Sequence, residues 1–388
     1  MRRTAAVLTL LLAVACRREA PKAEYYAPTD EQAKAFAGYY LDALQKPDAE
    51  RAALLIDWDA LIDKATSDAG IENELFRQAF VRGAKKKANG PEFVKQLSDV
   101  MRNGGSLHLL RVRTAADGSK RAVFRLLLPD GAVNYHEMLI SRDAAGAVRA
   151  RDIYVYTNAE FLTDTMRRMF FFSLAQDPSA LQKLAGRKNP FLEHVEDYKQ
   201  MLQKLREGDG KGAEEMYRRL PEETRRQKSV MLAHVFASSK LGNDEAYLKA
   251  MDEMRRAFPH DGGVDLMSID AFILKQKWPE ALAAIDRVDA AVGGDPYLDV
   301  FRSNVLLRSG DVKKAHDFSL RAGVREPTLP AAYWAQVHVS LARHDYAETA
   351  RLLSWLRDHL RVEIADLTTL PDYAGFVASP EYEEWMKR

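Results

Sequence analysis

Apolar residues recur at three-to-four spacing through Phe36, Tyr40 and Leu44, and again through Leu75, Phe76 and Phe80, which predicts several amphipathic helices over residues 29–103. Asn89-Gly90-Pro91 breaks that run. Arg82, Lys85, Lys86 and Lys87 just before it read as a solvated helix end, because cations are favoured there and no interleaved aromatics offer base stacking. Between residues 106 and 156 the period changes. Four short runs rich in β-branched and aromatic residues are separated by Asp117-Gly118, Pro129-Asp130-Gly131 and Asp143-Ala144-Ala145-Gly146, which is turn chemistry and predicts a four-stranded antiparallel meander. A helix over residues 159–184 follows, with Phe170-Phe171-Phe172, Met166 and Met169 as the buried seam joining it to what comes next.

Residues 31–186 therefore read as an α+β domain, with helices on one face of the sheet. Its outline is similar to the NTF2-like or cystatin-like arrangement. A simple hairpin at Asp143–Gly146 would set Glu137 opposite Asp152 and Tyr135 opposite Tyr154, with Arg125 beside Tyr135. That face would carry Arg125, Tyr135, Glu137, Asp152 and Tyr154, a speculative pocket in which two facing carboxylates need a proton or cation between them. The plainer expectation is a solvated sheet face opposite the apolar one of Phe124, Leu126, Met138, Ile153 and Val155.

The second half is periodic. Gly208-Asp209, Gly242-Asn243, Gln276-Lys277, Gly310-Asp311 and His344-Asp345 each follow a helical pattern, and the step between them is an unbroken 34 residues. Five residues after each turn stand Ala213, Tyr247, Ala281, Ala315 and Thr349, and twelve after it Leu220, Met254, Val288, Ala322 and Leu356. Pro259 and Pro327, each 17 after a turn glycine, stop second helices. This spacing resembles the tetratricopeptide repeat, with departures at Tyr247 and Gln276 and in the family's first-helix tryptophan and glycine. The fold expected over residues 194–361 is an all-α solenoid of five repeats, closed over 362–388 by a capping segment. There Ser379-Pro380-Glu381 starts a helix and Tyr382 and Trp385 pack inward. The whole chain is expected to be mostly helical. Gly208-Asp209-Gly210-Lys211-Gly212 superficially suggests a phosphate loop, but it follows a helix and coincides with a repeat turn.

The resemblance implies that first helices line a groove that binds peptides. In the 34-residue phase Asp270, Asn304 and His338 share one groove position, Arg206, Lys240 and Arg308 another, and Tyr198 and Trp334 are phased as anchors. The family's carboxylate clamp for chaperone tails finds Tyr198 and Leu202 instead of its polar residues.

Composition narrows the partners. Lys and Arg number 57 against 56 Asp and Glu, so no net field favours nucleic acid. A single cysteine excludes an internal disulfide and multi-cysteine zinc sites, and no motif for a metal, cofactor or catalytic nucleophile stands out. The expectation is no cofactor, no metal and no enzymatic activity. Arg2 and Arg3 precede an uncharged run from Thr4 to Ala15, the layout of a secretory signal and too short to span a bilayer. Leu12-Ala13-Val14-Ala15-Cys16 resembles the lipobox of bacterial lipoproteins, which implies a signal peptide over residues 1–15, lipidation at Cys16 and, with Arg17 next, the outer membrane. Loss of Arg2 and Arg3 leaves 55 basic residues against 56 acidic. Residues 16–30, with Pro21 and Pro28, read as a tether. The functional expectation is a lipid-anchored envelope scaffold that binds a protein or peptide, with a small-molecule or hydrolytic N-terminal domain as the alternative.

Overall fold

The computed structural model describes residues 24–46, 48–67, 78, 81–82, 91–175 and 194–387. The signal segment, Cys16, Leu75, Phe76, Phe80 and Lys85 to Lys87 lie outside them, as does residue 388 at the end of the cap.

Strand β1 (Tyr25–Tyr26) is followed by helices α1 (Asp30–Gln45), α2 (Ala49–Leu54), α3 (Trp58–Ser67) and α4 (Pro91–Arg102). Thr29 and Gln32 form a reciprocal capping box at the start of α1. The helix then buries Ala33, Phe36, Ala37, Tyr40 and Leu44. The meander comes next: β2 (Ser106–Thr114), β3 (Lys120–Leu127), β4 (Val133–Asp143) and β5 (Val148–Val155), paired in sequence order. Two short strands extend the expected four. β6 (Glu160–Phe161) adds to β5, and β1 pairs with the end of β4 beyond Lys120, the first residue of β3. The expected tether thus ends earlier than residue 30, because Tyr25 and Tyr26 already belong to the sheet.

Helices α1 to α4 cover one face of the sheet, with Phe36, Tyr40, Leu61, Phe124, Met138 and Ile153 in a shared core. Each such fully buried side chain contributes about 1.5–3 kcal/mol. The linking helix is shorter at its start than expected, because a turn of 3-10 helix (Tyr156–Asn158), left-handed Ala159 and β6 precede α5 (Leu162–Ala175). Phe170 and Phe171 are buried against Val195, Tyr198 and Met201. Met169 departs from the expected seam and is 57% exposed.

The repeats form adjacent antiparallel pairs: α6 (Val195–Arg206) with α7 (Gly210–Arg219), and, after one turn α8 (Glu222–Arg225), α9 (Lys228–Lys240) with α10 (Asp244–Ala257). α11 (Gly262–Leu274) pairs with α12 (Trp278–Val292), α13 (Pro296–Arg308) with α14 (Val312–Arg325), and α15 (Pro330–Ala342) with α16 (Tyr346–Asp358). All five turn residues, Gly208, Gly242, Gln276, Gly310 and His344, have positive φ, from 53° at Gln276 to 88° at Gly310. Asp209, Asn243, Asp311 and Asp345 directly after them cap the second helices with their side chains. Ala213, Ala281, Ala315 and Thr349 are fully buried, as are Met254, Val288, Ala322 and Leu356 twelve after the turns. Short helices α17 (Ala374–Val377) and α18 (Pro380–Met386) close the array, with Ser379 as the cap of α18 and Trp385 buried among Leu353, Leu356 and Phe376.

The second face of the sheet is the main departure from expectation. It is covered by the repeats: Val123, Tyr135 and Tyr156 share a core with Leu266, Ile269, Val292, Tyr297 and Leu298. Alternation along the strands fits either a solvated or a covered face when the cover is itself half polar.

Candidate functional site

Three of the five sheet residues expected to form a pocket, Arg125, Tyr135 and Tyr154, are joints between sheet and repeats. Arg125 pairs with Tyr135 across β3 and β4, as expected. The β4–β5 register differs by two residues: Glu137 faces Tyr154 and Leu139 faces Asp152, because the turn closes between Asp143 and Ala147, one residue wider than expected, and an irregularity beside Ile140 adds the second shift. Glu137 accepts from Arg113 Nη2 at 2.9 Å and from the Tyr156 hydroxyl at 3.4 Å. Asp152, 1% exposed, instead accepts from Thr163 Oγ1 at 2.7 Å and Lys64 Nζ at 3.1 Å. The facing carboxylate pair does not exist.

Arg125 and Tyr135 reach into the repeats. Arg125 donates to Asp295 Oδ1 at 2.6 Å and to Glu326, and the Tyr135 hydroxyl donates to Asp295 Oδ2 at 2.8 Å. Burial would lower the Arg125 pKa, but Glu326 and Asp295 outweigh it and hold the guanidinium charged. Burial, then Asp295, keeps Tyr135 protonated. Tyr154 donates to Asp261 at 2.5 Å and is likewise held neutral by burial first and Asp261 second. Asp261 and Asp295 are also the N-caps of α11 and α13, so two capping residues exactly one repeat apart carry the sheet.

The open site lies on the repeats. A cavity of about 630 Å³ is lined by Asp270, Asn304, Arg308 and His338, with Asp372 from the cap and apolar walls of Ile269, Phe301 and Leu341. Asp270, Asn304 and His338 hold one position on three successive first helices, and all three are exposed while the residues beside them in sequence are largely buried. Surrounding apolar atoms raise the Asp270 carboxyl above the usual range, with Arg308 opposing that shift. Desolvation lowers the His338 imidazole, and Asp372 acts against it. Among the described residues, no hydrogen bond or ion pair engages the side chains of these four groove residues. Elsewhere on the array charges are tied down: Asp299 accepts from Arg302, Arg321 and Arg325, and Asp265 from Arg287. Polar groups left unpaired around a concave apolar surface are what a partner would engage.

Four of the seven expected groove residues therefore converge. Arg206 and Lys240 are exposed in the first two repeats and do not line this cavity. Trp334 packs half-buried against the cluster of Val337, Leu353 and Phe376, and Tyr198 is buried with its hydroxyl on the Ser229 carbonyl. Both rings serve packing between helices. Two residues went unnoticed: Phe236, 45% exposed, and Leu274, 52% exposed. Phe236 stands 34 before Asp270 and Leu274 stands 34 after Lys240, so the same step would have found them.

No family model matches this chain, and no curated protein is significantly similar to it. Among the described residues no group of three or more His, Cys, Asp or Glu is placed to hold a metal ion, and no helix is long and apolar enough to cross a membrane.

Proposed function

We propose that this chain is a lipid-anchored protein of the bacterial cell envelope, at the outer membrane, whose tetratricopeptide-like array holds a protein or peptide partner without catalysing a reaction. The observation that carries the binding reading is the convergence of Asp270, Asn304, Arg308 and His338 from three repeats into one groove, with their side chains unengaged. Phe236 and Leu274 extend the same two registers with exposed apolar side chains, so the surface offers a partner both buried area and fixed polar contacts. The sheet domain acts as a brace. It grips the third and fourth repeats through Asp261 and Asp295 and so fixes the part of the array that carries most of the groove.

The anchor part of the proposal rests on Leu12 to Cys16 and their likeness to a lipobox. Several acyl chains on one residue hold a protein stably, since each buried methylene contributes about 0.8 kcal/mol. Two measurements test the proposal. Intact mass and membrane partitioning of the chain beside Cys16→Ser should show acylation and release of the variant to the soluble fraction. Affinity purification from envelope extract should recover a partner that Asn304→Ala/Arg308→Ala/His338→Ala fails to retain. An unacylated product removes the anchor, and equal recovery by both chains removes the groove.

A further inference from the structure

A second cavity, of about 490 Å³, lies on the helical side of the sheet, away from the groove, between α3, α4, α5 and strands β3 to β5. Its walls are Trp58, Phe93, Leu97, Leu126 and Met166, and its polar end is Asn134 with His136. The size falls within the range of small-molecule sites, roughly 300–1,000 Å³.

The hydrogen bonds at that end decide which proton the imidazole carries. Asn134 Oδ1 accepts from the backbone N–H of Tyr135 at 2.8 Å and of Thr157 at 3.0 Å, which fixes the amide and turns Nδ2 toward His136. Nδ2 can only donate, so His136 Nε2, 3.2 Å away, accepts. The proton of the neutral ring then sits on Nδ1. His136 is 3% exposed, it stacks on Phe93, and among the described residues no group accepts from Nδ1. A buried donor left unmatched loses the hydrogen bond it had with water, and a ligand oxygen would restore it.

We propose that this cavity binds a small, uncharged, largely apolar molecule whose carbonyl or hydroxyl oxygen accepts the His136 Nδ1 proton. Among the described residues the walls supply no cation for an acid, and Glu92 at the rim disfavours an anion. Burial also keeps the ring neutral, with its pKa lowered to about 4, so no positive charge forms near pH 7 to attract one. The site is independent of the groove and of the anchor.

Prodan, a neutral aryl ketone whose emission shifts to the blue out of water, is the probe. It is titrated into the full chain carrying Cys16→Ser, so that no lipid competes. The expected result is saturable binding of one equivalent. Affinity falls at least fivefold in Met169→Trp, which fills the mouth from an exposed position, and in His136→Leu, while Arg308→Ala binds as the parent does. Absence of saturable binding, or binding that Met169→Trp leaves unchanged, overturns the proposal, and Met169→Trp keeps it testable if His136→Leu does not fold. Loss of prodan binding in Arg308→Ala with Met169→Trp unaffected places the ligand in the groove and overturns it equally.

Discussion

Arg125 on the sheet and Asp295 at the start of α13 form an ion pair of 2.6 Å with both side chains shut away from solvent, at 2% and 0% exposure. The pair is completed by the Tyr135 hydroxyl on the other carboxylate oxygen and by Glu326 on the guanidinium. Asp295 also accepts from the Tyr297 N–H as helix cap. Removing one member of a buried pair leaves the other charged and unpaired, at a cost of about 3–5 kcal/mol. Arg125→Met should therefore lower unfolding stability by that order, measured by urea denaturation. Arg125→Met/Asp295→Asn should cost clearly less than the sum of the single changes, because the partners share one network.

Gly263 tests the same junction by shape alone. A methyl group there would stand 2.5 Å from the Tyr156 carbonyl oxygen and 2.7 Å from the Ala159 Cα, both backbone atoms. Gly263→Ala should destabilise by about 1–3 kcal/mol through overpacking, despite the better helix propensity of alanine. A thermal midpoint equal to or above that of the parent would show that the sheet and α11 can separate without penalty.

Gln276 and His344 occupy the left-handed turn position that glycine fills in the other three repeats. A left-handed residue with a Cβ costs roughly 1–2 kcal/mol, so Gln276→Gly should stabilise the array by up to about 1 kcal/mol once the added freedom of the unfolded chain is counted. Gly310→Ala should do the reverse. No atom lies within 4 Å of the added methyl at Gly310, so the loss there isolates the backbone effect.

His136 links stability to acid. Its folded pKa is lowered by burial from 6.5 to about 4, so between those values the unfolded chain binds the proton and the folded chain does not. Stability from this residue is full above pH 6.5 and is lost as pH falls toward 4, by up to about 3 kcal/mol. Measured over that window, the unfolding free energy of the parent should fall more steeply than that of His136→Leu. Parallel curves would mean the ring is protonated without cost.

Much of this architecture is legible in the chain. The five turns announce themselves at a fixed step, because a left-handed residue, a capping residue and a small packing residue recur together at Gly208, Asp209 and Ala213 and their counterparts. Groove residues Asp270, Asn304 and His338 follow by counting. The sheet register is not legible, since a turn one residue wider than the expected hairpin and an irregularity near Ile140 together moved Asp152 away from Glu137, and hairpin arithmetic contains no term for either. Nor is the second cover of the sheet. Arg125, Tyr135 and Tyr154 read as solvated or catalytic because their partners, Asp295, Glu326 and Asp261, lie more than a hundred residues away.

Photo-crosslinking from the groove tests the central claim most directly. A benzophenone amino acid at Leu341, in the groove wall, and at Lys313, on a second helix and outside that wall, are compared in the native envelope. The account predicts a discrete crosslinked protein or peptide from position 341 that is absent from 313 and is lost when Arg308→Ala/His338→Ala is added. The same products from both positions, or products at 341 that survive that double change, would contradict it.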